Sequence, residues 1–85
     1  MAQIGIRGND KSYRYYGVVL DCQGSLWFDT NSADINTVKK FCKYQTGYEE
    51  HPSYFLNSSA TIIDNTTGKT VLVKREGQIS FVEPK

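Results

Sequence analysis

One helical pattern lies between two stretches of strand-like sequence, and this arrangement constrains the fold more than any other feature. Apolar residues recur there at intervals of three and four, at Ile35, Val38, Phe41 and Cys42. This spacing places them along one stripe of an amphipathic helix. We predict a helix over 33–46, with Ser32 or Asp34 as its N-cap and Gly47 as the left-handed residue that ends it. The sequence predicts no second helix.

The segments on both sides of the helix favour β-strands. Ile, Val, Thr, Phe, Tyr and Trp together number 30 of the 85 residues, whereas Ala, Leu, Met and Glu number 12. β-Branched and aromatic side chains fit a pleated, half-buried surface. The predicted strands are about 2–7, 13–21, 25–29, 60–64, 69–74 and 78–82. Between the helix and the third-last strand, Pro52 predicts a loop, and 54–56 is predicted to be a short strand or turn.

The fold class follows from this order of elements. We expect one α+β domain over 1–85, in which an antiparallel sheet of about five to six strands, in βββ-α-βββ order, packs on a single helix. That arrangement covers the apolar stripe of the helix and one face of the sheet together. The order of the strands within the sheet stays open.

Length and charge exclude several classes of protein. The longest uninterrupted apolar runs, such as those at 18–20 and 71–73, are three residues, whereas a membrane span needs about 20. The first residues lack the pattern of a secretory signal, so we expect a cytoplasmic protein with no membrane partner. The net charge of +1 argues against a strongly basic arm that binds nucleic acid. We expect Cys22 and Cys42 to be reduced, although a bridge between them stays open.

We do not expect an enzyme. His51 is the only histidine, and neither the two cysteines nor the acidic residues have the spacing of metal ligands. A nucleophile formed by Cys22 with His51 is the one catalytic alternative that the sequence leaves open. We therefore predict no catalytic residue, no metal and no cofactor.

By elimination, the leading prediction is a small protein–protein interaction factor of the inhibitor or adaptor type that occupies a surface of a larger partner. In size it resembles phage-encoded accessory proteins that block host machinery. Aromatic residues and arginine are enriched at interface hot spots. The predicted contact residues are Tyr13, Arg14, Tyr15, Tyr16, Trp27 and Tyr48. A free sheet edge also offers a route to a symmetric homodimer.

The alternative prediction is a binder of single-stranded nucleic acid or a small nucleotide. Residues 14–19, Arg-Tyr-Tyr-Gly-Val-Val, overlap part of the aromatic strand pattern of the RNA recognition motif, but the two helices of that fold are missing. Tyrosine and tryptophan rings can still stack on bases. The residues predicted to contact phosphate are Arg7, Arg14, Lys39, Lys40 and Lys43. Those predicted to contact an acidic partner are Arg7 and the same three lysines.

Overall fold

An antiparallel sheet with a helix packed on one face forms the centre of the protein in the computed structural model, which describes residues 6–84. The sheet order is β2-β1-β3-β4, so that β1 and β3 are central. The elements are β1 (Tyr15–Leu20), β2 (Leu26–Ser32), α1 (Ile35–Gln45), α2 (Pro52–Leu56), β3 (Ser59–Asp64) and β4 (Lys69–Lys74). The α+β class and the antiparallel sheet are thus confirmed.

The predicted number of elements is wrong, because four strands and two helices form within residues 6–84. The predicted strand 78–82 is not one: only Val82 pairs with β4, through two 2.8 Å backbone hydrogen bonds with Val73. The preceding turn is held elsewhere. The Gly77 N–H donates to the Leu56 carbonyl at 2.9 Å, and the carbonyls of Arg75 and Gln78 accept hydrogen bonds from the Lys74 ammonium. The chain therefore meets β4 at a single point.

The predicted first strand, 2–7, also differs from the structure. Its residues 2–5 lie outside the described range, and residues 6–7 are not in a strand. The Asp29 carboxylate instead accepts hydrogen bonds from the backbone N–H groups of Arg7, at 2.9 Å, and Gly8, at 2.7 Å. Side-chain hydrogen bonds from β2, in place of a strand ladder, therefore hold the segment that begins at residue 6.

The second helix, α2, replaces the predicted short strand or turn at 54–56. Pro52 stands at its first turn, where the missing N–H has no partner to lose and the fixed φ suits a helix. The restriction that proline imposes falls on the residue before it. That residue, His51, has φ −135° and ψ 74°, outside the helical region.

The boundaries of α1 follow the capping signals. The Asp34 carboxylate accepts a 2.9 Å hydrogen bond from the Asn36 N–H, which confirms Asp34 as the N-cap. Gly47 has a φ of +77° just beyond the helix, as the sequence predicts for the left-handed residue. These two residues position the lysines of α1 described below.

Gly17 lets α1 approach the sheet closely. A Cβ atom at this position of β1 would overlap Cγ1 of Val38 and stand 3.3 Å from Sγ of Cys42. Because both partners are fully buried, we expect Gly17→Ala to lower the free energy of unfolding by about 1–3 kcal/mol through overpacking. Urea denaturation measures this change. Adding Val38→Ala should remove the overlap, so the double variant should lose less than the sum of the two single losses; strict additivity would contradict the overlap.

Candidate functional site

Tyr15 and Tyr16, two of the predicted contact residues, make contacts within the protein. The Tyr16 hydroxyl donates a 2.8 Å hydrogen bond to the Asp29 carboxylate. Burial and this carboxylate raise the pKa of Tyr16. Tyr15 packs against the core, with the Arg14 guanidinium 5.1 Å from its ring centre. Both rings thus contribute to the fold at the centre of the sheet.

Arg14 and Tyr13 lie where the chain enters β1. The Arg14 guanidinium pairs with the Asp64 carboxylate at 3.3 Å, and this contact raises the pKa of Arg14. Tyr13 is 45% exposed and lines a shallow cleft with Lys11 and Asn65. Tyr13 is the freer of the two for contact with a partner, since Arg14 already has an anionic neighbour.

Asp64 is predicted to make the stability of the fold depend on pH in the acidic range. A hydrogen bond from the Thr66 backbone N–H, together with Arg14, holds the pKa of Asp64 below its ordinary value of 3.8. The carboxylate therefore stabilises the fold fully above pH 3.8, and this stabilisation is lost as the pH falls through the lower folded value. We expect Asp64→Asn to be less stable than wild type at neutral pH, with a difference that shrinks in acid. Urea denaturation at several pH values measures it; a constant difference would contradict the prediction.

Arg7 and Trp27 meet in a cleft between β2 and α1. The cleft has a volume of about 500 Å³, and Phe41 and Gln45 of α1 form its other side. Trp27 is 38% exposed and contacts Phe28, with 5.3 Å between ring centres. β2 and β4 are the outer strands of the sheet, and the predicted homodimer would need the outer edge of one of them.

Three lysines form a row along α1, which we call the lysine row: Lys39, Lys40 and Lys43. Residues three and four apart on a helix are neighbours on its surface, so the three side chains share one side of α1. Arg14–Asp64 is the only ion pair formed among residues 6–84. Within that range, no carboxylate therefore neutralises the lysine row at ion-pair distance.

A cleft of about 390 Å³ opens beside the lysine row at the end of α1. We call it the tyrosine cleft; it is lined by Lys40, Lys43, Tyr44, Tyr48 and Glu49. The Lys43 ammonium lies 4.1 Å from the centre of the Tyr48 ring, in a cation–π contact. Tyr48 packs edge-on against the buried Phe55, 5.8 Å between ring centres. Packing against the core thus positions both Tyr48 and Lys43.

Tyr44 is the most exposed large aromatic side chain among residues 6–84, at 66%. It lies one turn after Lys40 on the same side of α1. The Glu49 carboxylate, as hydrogen-bond acceptor and as a negative charge, raises the pKa of the Tyr44 hydroxyl. The tyrosine cleft therefore combines an exposed ring, a fixed ring, two ammonium groups and one carboxylate.

A second cleft, of about 280 Å³, borders the lysine row through Lys39, Lys40 and Lys43. We call it the tail cleft, because Ile79, Ser80 and Phe81 of the C-terminal segment form its other wall, with Phe55 at the same site. Ile79 is 43% exposed. The lysine row thus runs between two clefts with aromatic and apolar walls.

The structure brings together four of the sequence-predicted contact residues, namely Lys39, Lys40, Lys43 and Tyr48. Arg7 with Trp27, and Tyr13 with Arg14, line separate clefts. Sequence reasoning missed Tyr44 and Ile79. Helical spacing could have identified Tyr44, four residues after Lys40. No comparable signal marks Ile79, because only the return of the C-terminal segment brings it to α1.

The cysteines are free and lie in different environments. Cys22 is exposed in the turn after β1, and Cys42 is buried on the side of α1 that packs on the sheet. Burial raises the pKa of Cys42 to about 12, which disfavours the reactive thiolate at neutral pH. Within residues 6–84, no three His, Cys, Asp or Glu side chains group closely enough to hold a metal ion.

The lysine row and its two clefts are a candidate functional site on the basis of their geometry alone. Comparisons of the chain with protein families, with curated proteins and with solved structures find no significant match. No helix within residues 6–84 has the length and apolar composition required to cross a membrane.

Proposed function

We propose that this protein is a non-catalytic interaction factor that occupies a surface of a larger protein through the lysine row and its two flanking clefts. One observation carries the proposal: three lysines without an ion-pair partner among residues 6–84 run between an exposed tyrosine and an exposed isoleucine. Interfaces combine buried aromatic anchors with charges that orient the partner. The inhibitor or adaptor role, and a phage source, are part of this proposal.

The shape of the surface supports binding better than turnover. Both clefts are open at the helix surface, and their walls consist mainly of rings, aliphatic groups and lysines, with Glu49 in one and Ser80 in the other. Tyr48 and Phe81 are already held by contacts with Phe55, at 5.8 and 6.4 Å between ring centres. A partner that binds there meets a surface that is largely pre-formed, so little side-chain entropy is lost on binding.

Affinity capture with matched variants tests the proposal. The immobilised protein is incubated with a nuclease-treated lysate of its source cells, and captured proteins are quantified by mass spectrometry. We expect Lys40→Glu combined with Lys43→Glu to reduce capture of the specific partner at least about tenfold, because like charges placed across an interface cost several kcal/mol. Tyr44→Ala should also reduce it.

Two control variants carry the same chemical changes at other places. Lys11→Glu combined with Lys69→Glu reverses two exposed lysines outside the lysine row, and Tyr54→Ala removes an exposed tyrosine of α2 that lines neither cleft. Both controls should capture the partner as wild type does. Equal capture by all variants, each shown to be folded by circular dichroism, would contradict the assignment of the surface.

Nucleic-acid binding is the second candidate, and the exposed Tyr44 ring beside Lys40 is the observation that favours it. A base could stack on this ring while lysines contact phosphates. The cations predicted for this role are divided, however, because Arg7 and Arg14 line clefts other than those of the lysine row. Titration with a thymidine oligonucleotide at rising salt tests it: affinity that falls steeply with salt would support this function, and no binding at low salt would contradict it.

A further inference from the structure

The tyrosine cleft contains groups that select for a particular kind of ligand. Its walls are the rings of Tyr44 and Tyr48, and its polar groups are the ammonium groups of Lys40 and Lys43 and the carboxylate of Glu49. A volume of about 390 Å³ accommodates one large side chain with the chain on either side of it. An aromatic or aliphatic side chain would meet ring surface in this cleft.

The lysine row adds a charge requirement. The lysines occupy helix positions i, i+1 and i+4, which places Lys39 and Lys40 each within one turn of Lys43, about 5–6 Å apart between Cβ atoms. Carboxylates on alternate residues of an extended segment are about 6–7 Å apart, a similar spacing. An acidic segment can therefore place successive carboxylates near successive lysines.

Glu49 distinguishes a peptide from a nucleic-acid strand. Its carboxylate lies in the same cleft as the two ammonium groups, and Glu50 follows it on an exposed turn. A peptide backbone offers N–H donors as well as carbonyl acceptors, so it can satisfy both signs of charge. A phosphodiester backbone carries a negative charge at every unit and has no N–H donor, so no group of that backbone would pair with Glu49.

We infer that the tyrosine cleft binds an acidic peptide segment of the protein partner, with one aromatic or large aliphatic side chain between Tyr44 and Tyr48 and flanking carboxylates at Lys40 and Lys43. This inference rests on the proposed function and adds the chemistry of the partner. It also assigns Tyr44 and Tyr48 different roles: Tyr48, held by Phe55, forms a fixed wall, and Tyr44 closes on the ligand from the exposed side.

Nuclear magnetic resonance titration of the full-length, ¹⁵N-labelled protein tests the inference. The probe is a short synthetic peptide with blocked ends, in which one phenylalanine is flanked by glutamates. We expect amide shifts confined to the end of α1 and the turn that follows it, residues 39–50. Lys40→Glu combined with Lys43→Glu should weaken binding at least about tenfold, and Tyr44→Ala about threefold or more.

Three further ligands make the result decisive. A peptide with glutamine in place of glutamate tests the charge, a peptide with alanine in place of phenylalanine tests the ring, and a thymidine oligonucleotide tests the nucleic-acid alternative. Both altered peptides should bind several-fold more weakly. No shift at residues 39–50 with the acidic peptide, or equal binding of the glutamine peptide, would overturn the inference. Tighter binding of the oligonucleotide at these residues would overturn it in favour of nucleic acid.

The outcome is separable from that of the proposed function. In one outcome, Lys40→Glu combined with Lys43→Glu abolishes capture of a protein partner while the acidic peptide does not bind wild type. The proposed function is then supported, and the inference of an acidic peptide segment fails. If the peptide binds at residues 39–50 while capture is unaffected by the variants, the cleft is a peptide site but the capture-based function fails.

Discussion

Lys74→Met should destabilise the protein by about 3–4 kcal/mol, because it removes the donor that four backbone carbonyls share. Lys74 is only 1% exposed, although it carries an ammonium group. Its Nζ donates to the carbonyls of Ser58 at 2.6 Å, Gln78 at 2.8 Å, Arg75 at 3.1 Å and Leu56 at 3.5 Å. Urea denaturation at constant protein concentration measures the loss.

The position of these carbonyls explains the size of the effect. They belong to the end of α2, the residue before β3 and the turn after β4, so one ammonium joins three parts of the chain. The ammonium also lies 4.7 Å from the centre of the buried Phe55 ring. Burial lowers the pKa of Lys74, and Glu76 partly offsets this change. A methionine fills similar space but donates no hydrogen bond. The carbonyls of Ser58 and Gln78 then lose this donor, whereas those of Leu56 and Arg75 keep the N–H groups of Gly77 and Gln78.

A matched control lies on the same strand. Lys69 begins β4 and is exposed, so Lys69→Met should change stability by less than about 0.5 kcal/mol. The Lys74 variant should also expose the turn at 75–78, because Gln78 and Arg75 lose their common contact. Hydrogen exchange at the Gly77 amide, which donates to Leu56, reports this opening. Equal stability of the two methionine variants would contradict the role of Lys74.

Asp29→Ala should be the second large loss, about 3 kcal/mol. Its carboxylate is buried, at 2% exposure, and accepts hydrogen bonds from the backbone N–H groups of Arg7 and Gly8 and from the Tyr16 hydroxyl. Alanine leaves three donors without an acceptor, and hydrogen bonds to charged groups contribute about 1.5–3 kcal/mol each when they are removed singly. Release of the segment from residue 6 onward limits the total, because its N–H groups can then reach water. Thermal denaturation followed by circular dichroism measures the loss.

Tyr16→Phe separates the two parts of this contact. It removes one donor and keeps the carboxylate for Arg7 and Gly8, so we expect a smaller loss of about 1 kcal/mol. Hydrogen exchange at the Arg7 and Gly8 amides should accelerate strongly in Asp29→Ala and little in Tyr16→Phe. If both variants leave these amides as protected as in wild type, the Asp29 carboxylate does not hold the N-terminal segment.

Elements with a local signal could be predicted from the sequence. β4 lies where the run 69–74, rich in β-branched and apolar residues, predicts it, and α1 begins after Asp34 and ends before Gly47. Each depends on contacts between residues close in the chain: a period of side chains, a cap or a turn. Strand 78–82 fails for the opposite reason. The conformation of 78–82 depends on Lys74, whose ammonium binds carbonyls that no sequence pattern connects to it.

The candidate site divides in the same way. Helical spacing predicts the lysine row, and the same spacing places Tyr44 beside it. The contact of Tyr48 with Lys43 and Phe55 follows from the turn after α1 and from α2, which the sequence did not predict. Tyr16 shows the reverse case, because an aromatic residue predicted as a contact for a partner donates its hydroxyl to Asp29.

The sequence by itself determined the class of the fold, the place of α1 and the row of lysines on it, because side-chain period and capping act within one or two turns of chain. The tertiary structure alone decided which charges are buried, which aromatic rings are exposed and which segments pair. Those outcomes depend on atoms brought together from distant parts of the sequence: Asp29 with Arg7, Lys74 with Ser58, and Ile79 with the lysine row. Burial and hydrogen bonding are properties of that assembly, and no single segment contains them.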